Sequence, residues 1–207
     1  MKEETKMDGC SLKLIQLSRK TLLEMLIDRG YIFDGCHNTL IHDTSKKIVG
    51  RKVENVITVF FLLQKRQVPL LKEFIAKNCS SNSKSEFEFD GENRSYITVV
   101  QFNVNKTFKT LCSQYGIEIF KIHSLGRNIT KHSLVPKHVL LSQEKNPSEM
   151  DNILKDLSIS HFEKLPIMKV SDPVAKYYGA KVGNIFRITR HSKTSGLYTS
   201  FRYLVEG

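Results

Sequence analysis

Paired cysteines are missing from this chain: Cys10, Cys36, Cys79 and Cys112 are scattered and form no CxxC. That argues against a cysteine-based metal site and reads as reduced thiols in an intracellular protein. Long apolar runs are missing too. Val56–Leu63 is the longest and contains Thr58, so nothing approaches the roughly 20 residues a membrane-spanning helix needs. The segment Met1-Lys2-Glu3-Glu4-Thr5-Lys6 lacks the apolar core of a secretory signal. Gly179, Gly183 and Gly196 do not have the spacing of a phosphate-binding or dinucleotide loop; helix closure and turns account for them. Ser192 and Ser195 have no paired base, which leaves serine nucleophile chemistry without support. No repeat occurs, and the one biased tract is the Ser/Asn stretch at 80–85.

What the chain has is a core and an excess of positive charge. Its 207 residues suit one large domain or two small ones, and 40% hydrophobic with 26% charged residues is ordinary for a globular protein. Lysine and arginine outnumber acidic residues 32 to 21, a net charge of +11. The excess is spread along the chain: residues 1–131 carry 21 basic against 14 acidic side chains, and 132–207 carry 11 against 7. Positive potential of this size attracts phosphate-rich partners through Coulomb forces and counterion release. It is also compatible with a soluble basic protein that meets no nucleic acid. Lys46-Lys47 with Arg51-Lys52 reads as a solvated face, with nuclear targeting as the alternative.

Leu12, Ile15, Leu22, Leu23, Leu26 and Ile27 recur at three- and four-residue steps. They predict an amphipathic helix stopped at Asp28-Arg29-Gly30, with Gly30 in the left-handed closing position. Residues 34–54 are polar and weakly patterned. Val56–Leu63, Tyr96–Phe102 and Ile117–Ile122 read as buried strands, being short and rich in β-branched and aromatic side chains. Pro69 opens a predicted helix carrying Leu70, Leu71, Phe74 and Ile75, followed by a polar loop from Ser80 to Asn93. Asn105–Gln114 predicts a further helix with Phe108, Leu111 and Cys112 inward, ended near Gly116. Strands alternating with helices favour a mainly parallel sheet covered by helices.

A composition shift at Ser124–Asn128 marks a linker, set at 125–131. Beyond it, Asn146 and Pro147 begin a helix with Ile153, Leu154 and Leu157 on its apolar face. Ser160 and Glu163 have capping-box spacing for a short turn. Asp172 and Pro173 begin another helix, ended by Gly179. Gly183–Arg190 and Leu197–Val205 alternate about a turn and predict a terminal β-hairpin. The expected fold class is α+β: an N-terminal α/β domain at 1–124 and a small C-terminal α+β domain at 132–207. A domain of about 75 residues buries only about 60% of its unfolded surface. Tyr177, Tyr178, Phe186, Leu197 and Tyr198 exceed what so thin a fold can cover, so a persistent protein partner is expected.

The last third carries an ordered set of motifs. These are His132, Leu134-Val135-Pro136-Lys137-His138, Leu165-Pro166, Asp172-Pro173-Val174-Ala175, Tyr177, Gly179, Ser192, Thr194, Gly196 and Arg202. In this order and spacing they resemble the fifth of the subunits shared by the eukaryotic nuclear RNA polymerases, a family whose archaeal members consist of the C-terminal module alone. Glu24-Met25-Leu26-Ile27-Asp28-Arg29-Gly30-Tyr31 resembles that family's first helix and its exit. The resemblance implies a C-terminal assembly module that packs on the largest polymerase subunit. Its contact residues would be His132, Val135, Pro136, His138, Asp172, Pro173, Tyr177, Gly179, Arg190 and Arg202. It also implies an N-terminal jaw domain beside downstream double-stranded DNA. Where the family has a DNA-facing Thr-Pro-Ser-Ala turn, this chain has Asn105-Lys106-Thr107-Phe108. Asn105, Lys106 and Thr107 at a helix start can still hold a phosphate; the alternative makes Asn105 simply a helix cap.

The resemblance further implies other polymerase subunits as partners, no membrane, no cofactor, no metal and no catalytic residue. It places the chain in the nucleus, or in a viral factory or virion if the gene is viral. A free-standing basic transcription adaptor is the alternative. A nuclease is the rival class, because the family's jaw domain is similar in layout to folds that bind metal through a carboxylate and a (D/E)xK element. Here Glu118 and Lys121 lie three apart in a strand and face opposite sides, and Asp90 and Glu92 read as solvated loop acids. His132 and His138 flank an extended segment with no cysteine at zinc spacing, so packing or hydrogen bonding is expected of them. Arg187, Arg190 and Arg202 are assigned to protein carboxylates in preference to nucleic acid, because the hairpin belongs to the assembly module.

Overall fold

In the computed structural model, residues 9–32, 48–52, 55–69, 71, 73, 93–142, 146–192, 194 and 196–206 are described. The chain divides into two units, Met1–Arg127 and Asn128–Gly207. In the first, helix α1 (Gly9–Asp28) precedes strands β1 (Ile48–Lys52), β2 (Asn55–Leu62) and β3 (Asn93–Val100), then helix α2 (Lys106–Gln114) and strand β4 (Glu118–Lys121). The sheet order is β1-β2-β3-β4, with β2, β3 and β4 parallel and β1 antiparallel to β2. The mainly parallel sheet is therefore present. Strand β1 was not predicted: Ile48-Val49-Gly50-Arg51-Lys52 shows no period-two alternation, and its pairing with β2 is made by backbone.

Alternation places Val59 and Phe61 with Ile97 and Val99 on one face, and Phe60 and Leu62 with Thr98 and Val100 on the other. The second face packs with Leu71, Phe108, Cys112 and Ile117. Helix α1 covers the first face, where the Arg19 guanidinium carbon lies 5.0 Å from the Phe61 ring centroid. Ile15, Leu22, Met25 and Leu26 of α1 are buried, whereas Leu12 and Ile27 are exposed. The predicted stripe is thus corrected at its ends, because a 3.6-residue period turns Met25 inward and Ile27 outward. Val68, Pro69, Leu71 and Glu73 are helical. Leu70, Phe74, Ile75, the loop at 80–92 with Asp90 and Glu92, Lys46-Lys47, Ser195, Cys36 and Cys79 lie outside the described residues. Around the expected linker, Ile122–Leu125 forms a 3₁₀ turn with both end residues buried. A Cβ on Gly126 would stand 3.1 Å from Leu14 Cδ1, so glycine permits a close approach to α1 there.

The second unit runs β5 (Lys137–Leu141), α3 (Pro147–Asp156), β6 (Ile167–Lys169), α4 (Pro173–Tyr177), β7 (Ile185–Ser192) and β8 (Gly196–Val205). Its sheet order is β5-β7-β8-β6, antiparallel except for the β6–β8 pair. The β7–β8 hairpin is the predicted one; β5 and β6 are additions. Lys-His-Val-Leu-Leu does not alternate, and three residues are too few for a pattern. One sheet face presents Phe186, Ile188, Leu204 and Met168 to Val174, Ala175 and Ala180 around α4. The opposite face presents Leu141 and Ile185 to Met150 and Ile153 of α3 and to Leu165. Burying each such large side chain stabilises by about 1.5–3 kcal/mol.

Helix α4 has only five residues and is held at both ends. Asp172 accepts a hydrogen bond from the Val174 N–H at 2.8 Å, and Pro173 supplies a preset φ. Gly179 at φ 62° lets its N–H reach Lys176 O at 3.1 Å and that of Ala180 reach Ala175 O at 3.0 Å. Helix α3 closes by the same pair of bonds, from Ser158 N to Lys155 O and Ile159 N to Leu154 O, but with Ser158 at φ 51°. A serine in the left-handed region is strained. The expected N-cap of the turn near Ser160 falls instead at His161, ahead of Phe162–Lys164, and Ser160 Oγ accepts from Lys164 Nζ. Ser158→Gly is expected to stabilise the second unit by about 0.5–1 kcal/mol in urea unfolding, with the slope unchanged.

Candidate functional site

In the second unit the α4 segment lies against the sheet through Tyr178, whose ring centroid is 5.8 Å from that of Phe186. The neighbouring Tyr177 is buried, and its hydroxyl accepts from Asn128 Nδ2 at 3.1 Å. That residue therefore fastens α4 to the start of the unit and offers little surface. His138 on β5 stands edge-on to Phe186 at 5.7 Å. Its Nδ1 lies 2.7 Å from Pro136 O. A carbonyl can only accept, so Nδ1 carries the proton and Nε2 is left as an acceptor. Burial pulls the His138 pKa below the ordinary 6.5; Arg190 and Arg202 push the same way, against the Pro136 bond and Asp172.

His132 is exposed and shapes the turn before β5. Its Nδ1 accepts from the Leu134 N–H at 3.2 Å, and its carbonyl accepts from Val135 N–H at 2.9 Å. Val135 is half-buried against the Met168–Phe186 cluster, Pro136 is half-buried, and Leu134 is 84% exposed. Arg190 is exposed and Arg202 half-buried. The register puts both on the His138 side of the sheet: His138 pairs Ile188, Phe186 pairs Arg202 and Arg190 pairs Tyr198. Arg187 points to the other face and pairs with Glu149. Arg187, expected to meet a protein carboxylate, meets one of its own chain. Among the described residues no group of three His, Cys, Asp or Glu could hold a metal.

In the first unit Asn105, Lys106 and Thr107 are all exposed at the start of α2. Asn105 occupies the N-cap position, and its carbonyl accepts from Lys109 N–H at 3.1 Å, but its side chain makes no capping bond. The side-chain cap reading is thus set aside. Glu118 pairs with Arg29 just past the end of α1, through two bonds of 3.1 and 2.8 Å. The Arg29 side chain is 8% exposed and that of Glu118 43%. A carboxylate on the α1 face, forked onto a guanidinium, holds helix to edge strand and does not face Lys121. The Arg29 role was not read from sequence, because its partner lies 89 positions away. Burial pushes the Cys112 thiol up to about 11, which leaves it inert.

The profile of the RNA polymerase Rpb5 C-terminal domain matches residues 127–204. Over 78 residues the chain is 47% identical to the DNA-directed RNA polymerase subunit Rpo5 of Sulfurisphaera tokodaii, spanning 38% of this chain and 87% of that protein. The chain belongs to the RNA polymerase Rpb5 family. Its likeness to Rpb5 proteins extends through both units. The rpabc1 subunit of DNA-directed RNA polymerases I, II and III from Dictyostelium discoideum is 28% identical over 211 residues, covering 93% of this chain and 98% of that protein. Subunit 5B of polymerases IV and V from Arabidopsis thaliana is 27% identical over 197 residues, 90% of this chain and 87% of that one. All ten expected assembly residues lie inside the Rpb5 profile match; Asn105, Lys106 and Thr107 lie outside it.

Glu118→Gln is expected to lower first-unit stability by about 1–2 kcal/mol in urea unfolding, the partial exposure of Glu118 holding the loss below that of a fully buried pair. His138 gives a pH signature. Its folded pKa is depressed, so its stabilising contribution is complete above 6.5 and is lost as pH falls through that value, levelling off below the folded pKa. His138→Asn keeps a donor near Nδ1 and removes the titration. The melting temperature of the wild type is therefore expected to fall more steeply than that of His138→Asn between about pH 7 and pH 5.

Proposed function

We infer that this chain is an Rpb5-type, non-catalytic subunit of a multisubunit DNA-directed RNA polymerase. The observation that carries the reading is the coincidence of its second unit with nearly the whole of a separate archaeal polymerase subunit. The Rpo5 protein of Methanothermobacter thermautotrophicus is 47% identical over 78 residues, 95% of its own length. A unit that exists by itself as a polymerase subunit supports an assembly role for Asn128–Gly207 here. In this reading it docks on the largest subunit through the 132–138 turn, the α4 segment from Asp172 to Gly179, and Arg190 and Arg202. Tyr177 and Gly179 act from inside, by setting the shape of α4.

The first unit forms part of the lower jaw beside downstream DNA. Asn105, Lys106 and Thr107 meet phosphates there through a cation, a hydroxyl and the N–H groups at the start of α2. Such contacts are independent of base sequence and weaken with salt. The setting is the nucleus, or a viral factory or virion for a viral gene.

The test is purification of the tagged full-length chain, followed by identification of the chains that elute with it. Co-elution with very large polymerase subunits is expected, whereas a free-standing adaptor would appear on its own. Pro173→Gly and Gly179→Val are each expected to reduce incorporation about fivefold or more, since a β-branched residue at a left-handed position costs about 1–2 kcal/mol. Wild-type incorporation of both variants would overturn the role given to α4.

A further inference from the structure

On the sheet face that carries α4, the hairpin bears two arginines without an ion-pair partner among the described residues. Alternation from Phe186 through Ile188 to Arg190 keeps these three side chains on one side of β7. Direct pairing brings His138 beside Ile188, Tyr198 beside Arg190 and Arg202 beside Phe186. Among the described residues Arg190 and Arg202 make no ion pair or hydrogen bond. Among the described residues the acidic side chain close enough to act on the His138 ring is Asp172, and its Oδ1 is already taken by the Val174 N–H. The other hairpin arginine, Arg187, shows what such a side chain does here when an acid is in reach: it pairs with Glu149.

We propose that Arg190 and Arg202 form a seat for one acidic side chain of the protein on which this unit docks. The proposal rests on the polymerase-subunit reading for the partner's identity, but the seat stands on its own chemistry. Two guanidinium groups offer forked donors that match a carboxylate in geometry as well as in charge. Phe186 and Ile188 of the same face are buried beneath α4, and apolar packing beside the arginines strengthens their attraction to a carboxylate. Tyr198 is 55% exposed on the rim and supplies the aromatic surface common at protein contacts. A nucleic-acid strand fits less well. It carries a phosphate on every nucleotide, and Asp172, close enough to act on His138, puts a repelling charge on this face.

The experiment replaces Tyr198 with the photo-crosslinker p-benzoylphenylalanine in the full-length chain, expressed in the cells that use it, and identifies the captured peptide by mass spectrometry. The expected product is a peptide of a polymerase subunit with Asp or Glu within a few residues of the crosslink. Its yield should fall at least about tenfold in the Arg190→Gln/Arg202→Gln background. Unchanged melting of that double variant shows that the loss is one of contact and not of folding. An acidic peptide from another protein, lost in the same way, would uphold the seat and remove the polymerase reading. A polymerase peptide without an acid, or a yield indifferent to both arginines, would overturn the seat and leave that reading standing. Capture of nucleic acid, or of nothing, would also overturn the seat.

Discussion

Burial of both faces of one hairpin is the constraint on which the second unit depends. Among the described residues, strands β7 and β8 are covered at their inner ends, by α4 over Phe186 and Ile188 and by α3 over Ile185. Helices of five and ten residues span only about 8 and 15 Å. They cannot reach the tip of a ten-residue strand, which extends roughly 33 Å. The outer half of the hairpin therefore stays in solvent, with Leu197 65% and Tyr198 55% exposed. Exposure there follows from lengths, and it gives the unit a surface that another protein can complete.

Much of the fold was legible because its signals are local. Proline after Asp172 and glycine at 179 mark the ends of α4 within eight residues, and alternation in Gly183–Arg190 and Leu197–Val205 marks the hairpin. The strands β1, β5 and β6 were not legible. Each is short and its own side chains carry no period; β1 pairs with the strand that follows it, whereas β5 and β6 pair with strands remote in sequence. The same reason hides the ion pair of Arg29 with Glu118. The expected crowding of five apolar side chains resolved unevenly: Tyr177 and Phe186 are buried, while Leu197 and Tyr198 are not.

The candidate site was legible as a set of residues and not as an arrangement. His132, Val135, Pro136 and His138 turn out to form a braced turn, in which one imidazole accepts and the other donates. Asp172, Pro173, Tyr177 and Gly179 prove to be the framework of α4, which explains why residues without evident chemistry occur in this order. Only the register separates Arg187, neutralised by Glu149, from Arg190 and Arg202 on the reverse side. No spacing rule along one strand supplies that distinction, because it depends on which helix lies over which face.

The lateral margins of the second sheet limit the ways this unit can associate. One margin is β6, with three residues, and the other is β5, which starts with Lys137 directly after Pro136. A three-residue template offers few free backbone groups, and a proline followed by lysine blunts the start of the other. Recruitment of a foreign strand to extend the sheet is therefore disfavoured, along with the self-stacking that open margins invite. Whatever joins this unit does so by shape and charge on a surface of side chains.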